Sequence, residues 1–180
     1  FDRCIEMIKN RLKANPVPIQ LPIGSEDSFL GIVDLVSMQS IIYEEEGLGA
    51  KHHIEEIPAN MKEKLQEARS FMLDAVAETD EKLLEKYLSG EELTSEEIIS
   101  GLRKGCLDLS IIPILCGSAF KNKGVQPLLD AVVQLLPSPL DVPPVVGTDV
   151  DDKEKQIIRE PKDDAPFAAL AFKIIADPHG

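Results

Sequence analysis

The stretch from Ile111 to Pro139, IIPILCGSAFKNKGVQPLLDAVVQLLPSP, constrains the fold more than any other part of the chain. Ile111 to Cys116 is a short, mostly apolar run with the length and bounds of a fully buried strand. Gly117, Ser118, Ala119 and Phe120 follow, then a basic turn from Lys121 to Gly124. Val125, Leu128, Leu129, Val132, Leu135 and Leu136 recur at helical spacing, so the stretch predicts strand, loop and helix in succession. In an open α/β sheet, ligands sit at the loop leaving the carboxyl end of a strand. Small residues there let backbone N–H groups approach a ligand closely.

The region before this unit carries a second pattern. Asp2 stands at an N-cap position, and Cys4, Ile5, Ile8 and Leu12 predict a helix over 3–13 that Asn15 and Pro16 stop. Val17 to Ile23, with Pro16, Pro18 and Pro22, predicts a short, irregular edge segment, because each proline lacks a ladder donor. Phe29 to Val36 and Gln39 to Tyr43 are rich in β-branched and aromatic residues and leave only Ser37 and Met38 for a tight connection. With a third extended piece, Ala50 to Ile57, after a loop from Glu44 to Gly49, they predict a small antiparallel meander.

From Ala59 the period changes. Met61, Leu65, Ala68, Met72, Ala75 and Val76 form one apolar stripe, with Glu63, Glu67, Ser70 and Asp74 facing away. Leu83, Leu84, Tyr87 and Leu88 predict a shorter helix that Ser89 and Gly90 end. Thr94 and Glu97 have the spacing of a capping box, opening a helix that carries Ile98, Ile99, Leu102, Cys106 and Leu109. The block over 16–110 is too long for a loop and is expected to carry a core of its own. A small sheet followed by helices makes it an α+β insert within an α/β domain.

Pro137, Pro139, Pro143 and Pro144 cannot continue a helix and place a domain boundary near 140. The expected organisation is an α/β domain over 1–140, a Pro-rich, charged linker over 141–165, and a further domain beginning at 166. Phe167 to Ile175 reads there as a strand cut off at Asp177 and Pro178.

The formal charge of −13 is unevenly placed: from Glu44 to Glu97 there are 16 acidic and 6 basic residues, a net of −10. Such a field repels nucleic-acid phosphates and attracts basic proteins, so direct nucleic-acid binding by this surface is not expected. It serves either as a solvated helical face or as a partner surface. Three cysteines without framework spacing argue for free thiols in a reducing compartment, and no apolar run has the length of a membrane span.

CGSAFKNKGVQ resembles the fifth guanine-nucleotide motif of the translational GTPases, and LLPSPLDVPPV resembles their exit from the GTPase domain. The similarity is strongest to the elongation factor G family, whose insert landmarks are matched by ANPVPIQLPIG, GIVDLV and EKYLSGEELT. The resemblance implies the C-terminal part of a P-loop GTPase domain carrying its α+β insert, followed by the first strand of β-barrel domain II. It also implies a monomer in the cytoplasm or an organellar matrix or stroma. GTP or GDP is then the parent's cofactor, with the guanine-base loop formed by Gly117, Ser118, Ala119 and Phe120. Mg2+ would be held by segments outside this sequence. The Ala119 N–H would donate to the guanine carbonyl oxygen, and Ser118 would buttress the acidic residue that reads the ring's other edge. The ribosome is the implied partner, including the basic C-terminal domain of its stalk protein, for which Glu63, Glu67 and Asp74 are the candidate contacts. The sequence contains no GxxxxGK(S/T) loop, no NKxD and no switch-region DxxG ahead of the guanine-base loop, so a fragment is expected, with no catalytic residue and no activity alone.

Three other features have simpler explanations. Cys116 suggests a thiol nucleophile, but no histidine lies near it in sequence, and a strand-end cysteine is usually a small buried hydrophobe. His52 and His53 are adjacent and point to opposite faces of a strand, which disfavours shared metal ligation. Lys121 and Lys123 are expected to be solvated loop lysines. Two alternatives remain: a free-standing acidic α+β interaction module without a nucleotide site, and a related translational GTPase of the release or ribosome-protection type.

Overall fold

A computed structural model describes residues 1–44, 49 and 51–174. The chain is mixed α/β and divides into two compact units, Phe1–Leu136 and Pro137–Gly180. The first opens with α1 (Asp2–Met7), which continues as a wide π-helical turn over Ile8–Leu12 and ends where Lys13 takes φ +54. Phe1, not Asp2, is the N-cap, and the left-handed lysine stops the helix before Asn15 and Pro16 are reached.

The proline-rich segment forms two short strands, β1 (Pro16–Pro18) and β2 (Gln20–Ile23), which join different sheets. Ile19 is the switch point: its N–H donates to the Ile114 carbonyl at 3.0 Å, and its carbonyl accepts from the Leu35 N–H at 3.0 Å. Val17, Ile19, Leu21 and Ile23 are all buried, so this edge segment also supplies the core.

Strands β2, β3 (Gly31–Asp34), β4 (Gln39–Tyr43) and β5 (His52–Glu55) form the expected antiparallel meander in sequence order. The tight turn at Ser37 and Met38 is held by Asp34, whose carboxylate accepts the Ser37 N–H at 2.7 Å. The Leu35 and Val36 carbonyls entering the turn accept from the Arg69 guanidinium. Positions 45–48 of the expected loop, and Ala50, lie outside the described residues.

A 3-10 turn at Ala59–Met61 leads into α2 (Lys62–Ala77), followed by α3 (Glu81–Leu88) and α4 (Ser95–Leu107). Leu65, Met72 and Val76 of α2 pack with Ile98, Leu102 and Cys106 of α4 against the sheet residues. Each such aliphatic side chain contributes about 1.5–3 kcal/mol on burial. Gly105 brings α4 against Ile111, since a Cβ there would lie 2.7 Å from the isoleucine Cδ1. Leu109 falls beyond α4 at φ +58 and is exposed, unlike the expected stripe residue.

Only Ile112–Ile114 of the expected strand Ile111–Cys116 forms β6, and among the described residues it pairs in parallel with β1 alone. Ile111 is buried, but residues 112–116 are half-buried rather than fully covered, because one neighbouring strand shields one edge. Helix α5 (Val125–Leu135) follows the loop, and Leu135 and Ile111 enter the same core as the insert's side chains. The insert therefore shares its core with the strand-loop-helix unit rather than holding a separate one.

The second unit contains a 3-10 turn at Pro139–Asp141 and a hairpin of β7 (Val145–Thr148) and β8 (Gln156–Arg159). An ordered hairpin thus occupies the segment expected to be a linker. Its turn is closed by the Asp149 carboxylate, which accepts from the Asp151 N–H at 3.1 Å and pairs with Lys155 at 3.0 Å. Residues 167–174 of the stretch read as a barrel strand are exposed and form no strand here, while Ile175, Asp177 and Pro178 lie outside the described residues.

Candidate functional site: the loop after the parallel strand

The loop between β6 and α5 is a miniature hairpin closed by one residue pair. The Ser118 N–H donates to the Lys123 carbonyl at 2.8 Å, and the Lys123 N–H donates back to the Ser118 carbonyl at 3.0 Å. Inside it, the Lys121 N–H donates to the Ser118 carbonyl at 3.2 Å and the Asn122 N–H to the Ala119 carbonyl at 3.1 Å. Gly117 is required by this closure, because a Cβ there would stand 2.6 Å from the Lys123 carbonyl oxygen.

These bonds consume the carbonyls of Ser118, Ala119 and Lys123. The N–H groups of Ala119 and Phe120 have no acceptor among the described residues. Ala119, with Gly117, Ser118, Val125 and Leu128, borders a cavity of about 180 Å³. An open cleft of about 810 Å³ adjoins Gly117 and Ser118 and is also lined by Phe1, Cys4 and Phe29. The Phe120 ring is 98% exposed and lines neither cavity. The loop can therefore present backbone donors to an acceptor-bearing ligand.

Cys116 is no nucleophile in this setting. Burial pushes its thiol up to about 12, far from the range in which a thiolate forms at neutral pH. Its N–H faces the Oε1 of the buried Gln20 at 3.5 Å, a contact that links the strand end to β2.

The expectation that Lys123 is solvated fails. Its side chain is 6% exposed, and Nζ donates to the Phe29 carbonyl at 3.3 Å. Nothing in the local letters separates it from Lys121, because its burial comes from the meander folding against the loop. Tyr43, also buried, brings its hydroxyl toward the Gly124 amide and the Cys116 thiol without reaching hydrogen-bond geometry.

Glu63, Glu67 and Asp74 lie on α2 and do not line either cavity. At ~100° per residue they fall within about 40° of one another, and all three are exposed. The Asp74 carboxylate beside the Tyr87 phenol raises the tyrosine's pKa. The His52 and Tyr43 rings lie 5.7 Å apart between centroids and are tilted at 50°, and His53 Nε2 meets Glu55 at 2.8 Å, so the two histidines have different partners. Among the described residues, no three His, Cys, Asp or Glu side chains converge to hold a metal ion, and no helix is long and apolar enough to cross a membrane.

No protein-family model matches the chain. A crystal structure of a protein from Thermus thermophilus resembles it at 30% sequence identity and a TM-score of 0.67. That likeness covers 81% of this chain and 22% of the Thermus chain, so the sequence spans about a fifth of the protein it matches.

Proposed function

We propose that this chain is part of a translational GTPase of the elongation factor G type, which couples GTP binding and hydrolysis to movement of transfer RNA and messenger RNA through the ribosome. The Ala119 N–H is the guanine reader, and Ser118 supports the acidic residue on the ring's other edge. The observation that carries this reading is the Ala119 N–H, left without an acceptor among the described residues at the rim of a cavity behind a parallel strand. Guanine presents an acceptor oxygen where adenine presents an amino group, so a fixed N–H selects between them by hydrogen-bond mismatch.

The phosphates and Mg2+ belong to segments outside this sequence, so the 180 residues alone neither bind GTP usefully nor hydrolyse it. The test uses the full-length protein and compares GDP with ADP affinity. Ala119→Pro, which removes the N–H, should reduce the guanine preference about tenfold or more, and Ala119→Gly, which keeps it, should not. An unchanged preference in Ala119→Pro overturns the assignment.

The acidic stripe on α2 supports a partner role in the same protein, contact with the basic C-terminal domain of the ribosomal stalk protein. It equally supports the alternative of an acidic interaction module without a nucleotide site. Reversing Glu63, Glu67 and Asp74 to lysine should weaken binding of the stalk domain and flatten its salt dependence. Binding that survives triple reversal unchanged argues against this face.

A further inference from the structure

Lys123 joins the loop to the insert by two routes at once. Its backbone closes the loop through Ser118, with both bonds at 3.0 Å or less, while its side chain runs into the protein and ends on the Phe29 carbonyl just before β3. It is the only buried lysine, arginine, aspartate or glutamate among the described residues, and it has no acidic partner there. Burying an amino group with a single carbonyl acceptor is costly, so a lysine that merely filled space would be a poor choice beside methionine. A second tie lies at the start of α5, where Gln126 Nε2 donates to the Gly49 carbonyl at 3.4 Å. The meander thus supports the loop from below, at Phe29 and Gly49, while the Ala119 and Phe120 amides remain free.

We infer that Lys123 is a positioning residue through which the acidic insert sets the geometry of the loop, and hence its discrimination for the 6-oxygen of a purine. The inference rests on the guanine-reading role proposed for Ala119. Lys123 does not touch the base: it fixes the Ser118–Lys123 closure, and that closure fixes the Ala119 amide, which follows Ser118 in the chain. A loop released from Phe29 keeps its N–H donors but no longer holds them at one place, so the selective contact weakens more than the contacts that every purine nucleotide shares.

The experiment compares wild type with Lys123→Met in the full-length protein, with Lys121→Met as a control for loss of a loop lysine. Affinity is measured for GDP and for the diphosphate of 2-aminopurine riboside, which keeps the 2-amino group and lacks the 6-oxygen. Hydrogen exchange across Gly117–Gly124 is followed without nucleotide.

Lys123→Met should reduce the ratio of the two affinities about tenfold and speed exchange at the Ser118 and Lys123 amides. Lys121→Met should change neither. A variant that is merely less stable loses affinity for both ligands alike and keeps the ratio. An unchanged ratio, or unchanged exchange at the two amides, overturns the inference while leaving the guanine reading intact. Wild type with no preference for GDP overturns that reading instead, and the exchange rates then decide whether Lys123 holds the loop.

Discussion

At the residue scale, burial separates side chains that the letters alone treat alike. Cys4 is exposed, whereas Cys106 is buried and Cys116 half-buried, and burial raises both thiols, Cys116 to about 12. Because the thiolate is the reactive form, Cys116 gains reactivity about tenfold per pH unit up to that value and is nearly inert at pH 8. Iodoacetamide at pH 8, followed by peptide mass spectrometry, should label Cys4 first and leave Cys116 unmodified for as long as the fold persists. Labelling of Cys116 at the rate of Cys4 would contradict its burial. Lys121 and Lys123 make the same point with charge. Only the meander, packed beneath the loop, distinguishes the buried one, and no local pattern encodes that contact.

Periodicity and capping carry most of the information at the element scale. The capping box of α4 has both of its arms: Thr94 Oγ1 accepts the Glu97 N–H at 3.3 Å, and the Glu97 carboxylate accepts the Thr94 N–H at 2.7 Å. Thr94→Ala should cost about 1 kcal/mol in urea unfolding, and Thr94→Ser much less, since the hydroxyl is what matters. Equal losses in the two variants would locate the effect in the threonine methyl instead. The meander, its tight turn and the stripe of α2 were similarly legible, because each is a local pattern tied to one period. What escaped depends on distant neighbours. β6 is shorter than its apolar run because among the described residues only β1 pairs with it, and β7 and β8 alternate too weakly to stand out from their charged surroundings. The loop over 117–120 was legible as a strand-end turn of small residues, but its dependence on Phe29 and Gly49 was not.

At the scale of the whole molecule, a net charge of −13 is tolerated partly because cations are placed where the helices meet. Helices α3 and α4 form an antiparallel pair pinned at both ends: Asp80 at the start of α3 meets Lys104 near the end of α4 at 2.9 Å, and Lys86 near the end of α3 meets Glu97 in the first turn of α4 at 2.8 Å. The lysine hydrogen bond is the largest cause holding each carboxyl below its ordinary value, 3.8 for Asp80 and 4.5 for Glu97, and backbone amides at the two caps add to it. A depressed folded-state pKa means that the unfolded chain takes up protons first as acid is added. The two carboxylates therefore stabilise the fold fully above pH 4.5, and that contribution is lost as the pH falls through their folded values. Both pairs are solvent-accessible and screened, so each effect is modest and should shrink in high salt. Urea midpoints measured from pH 6 to pH 3 should fall most steeply below pH 4.5 in wild type, and less steeply in Lys86→Met and Lys104→Met, which begin with less to lose. Parallel curves for all three proteins would mean that acid acts elsewhere on this chain, through the remaining carboxylates rather than through the pins of the helical pair.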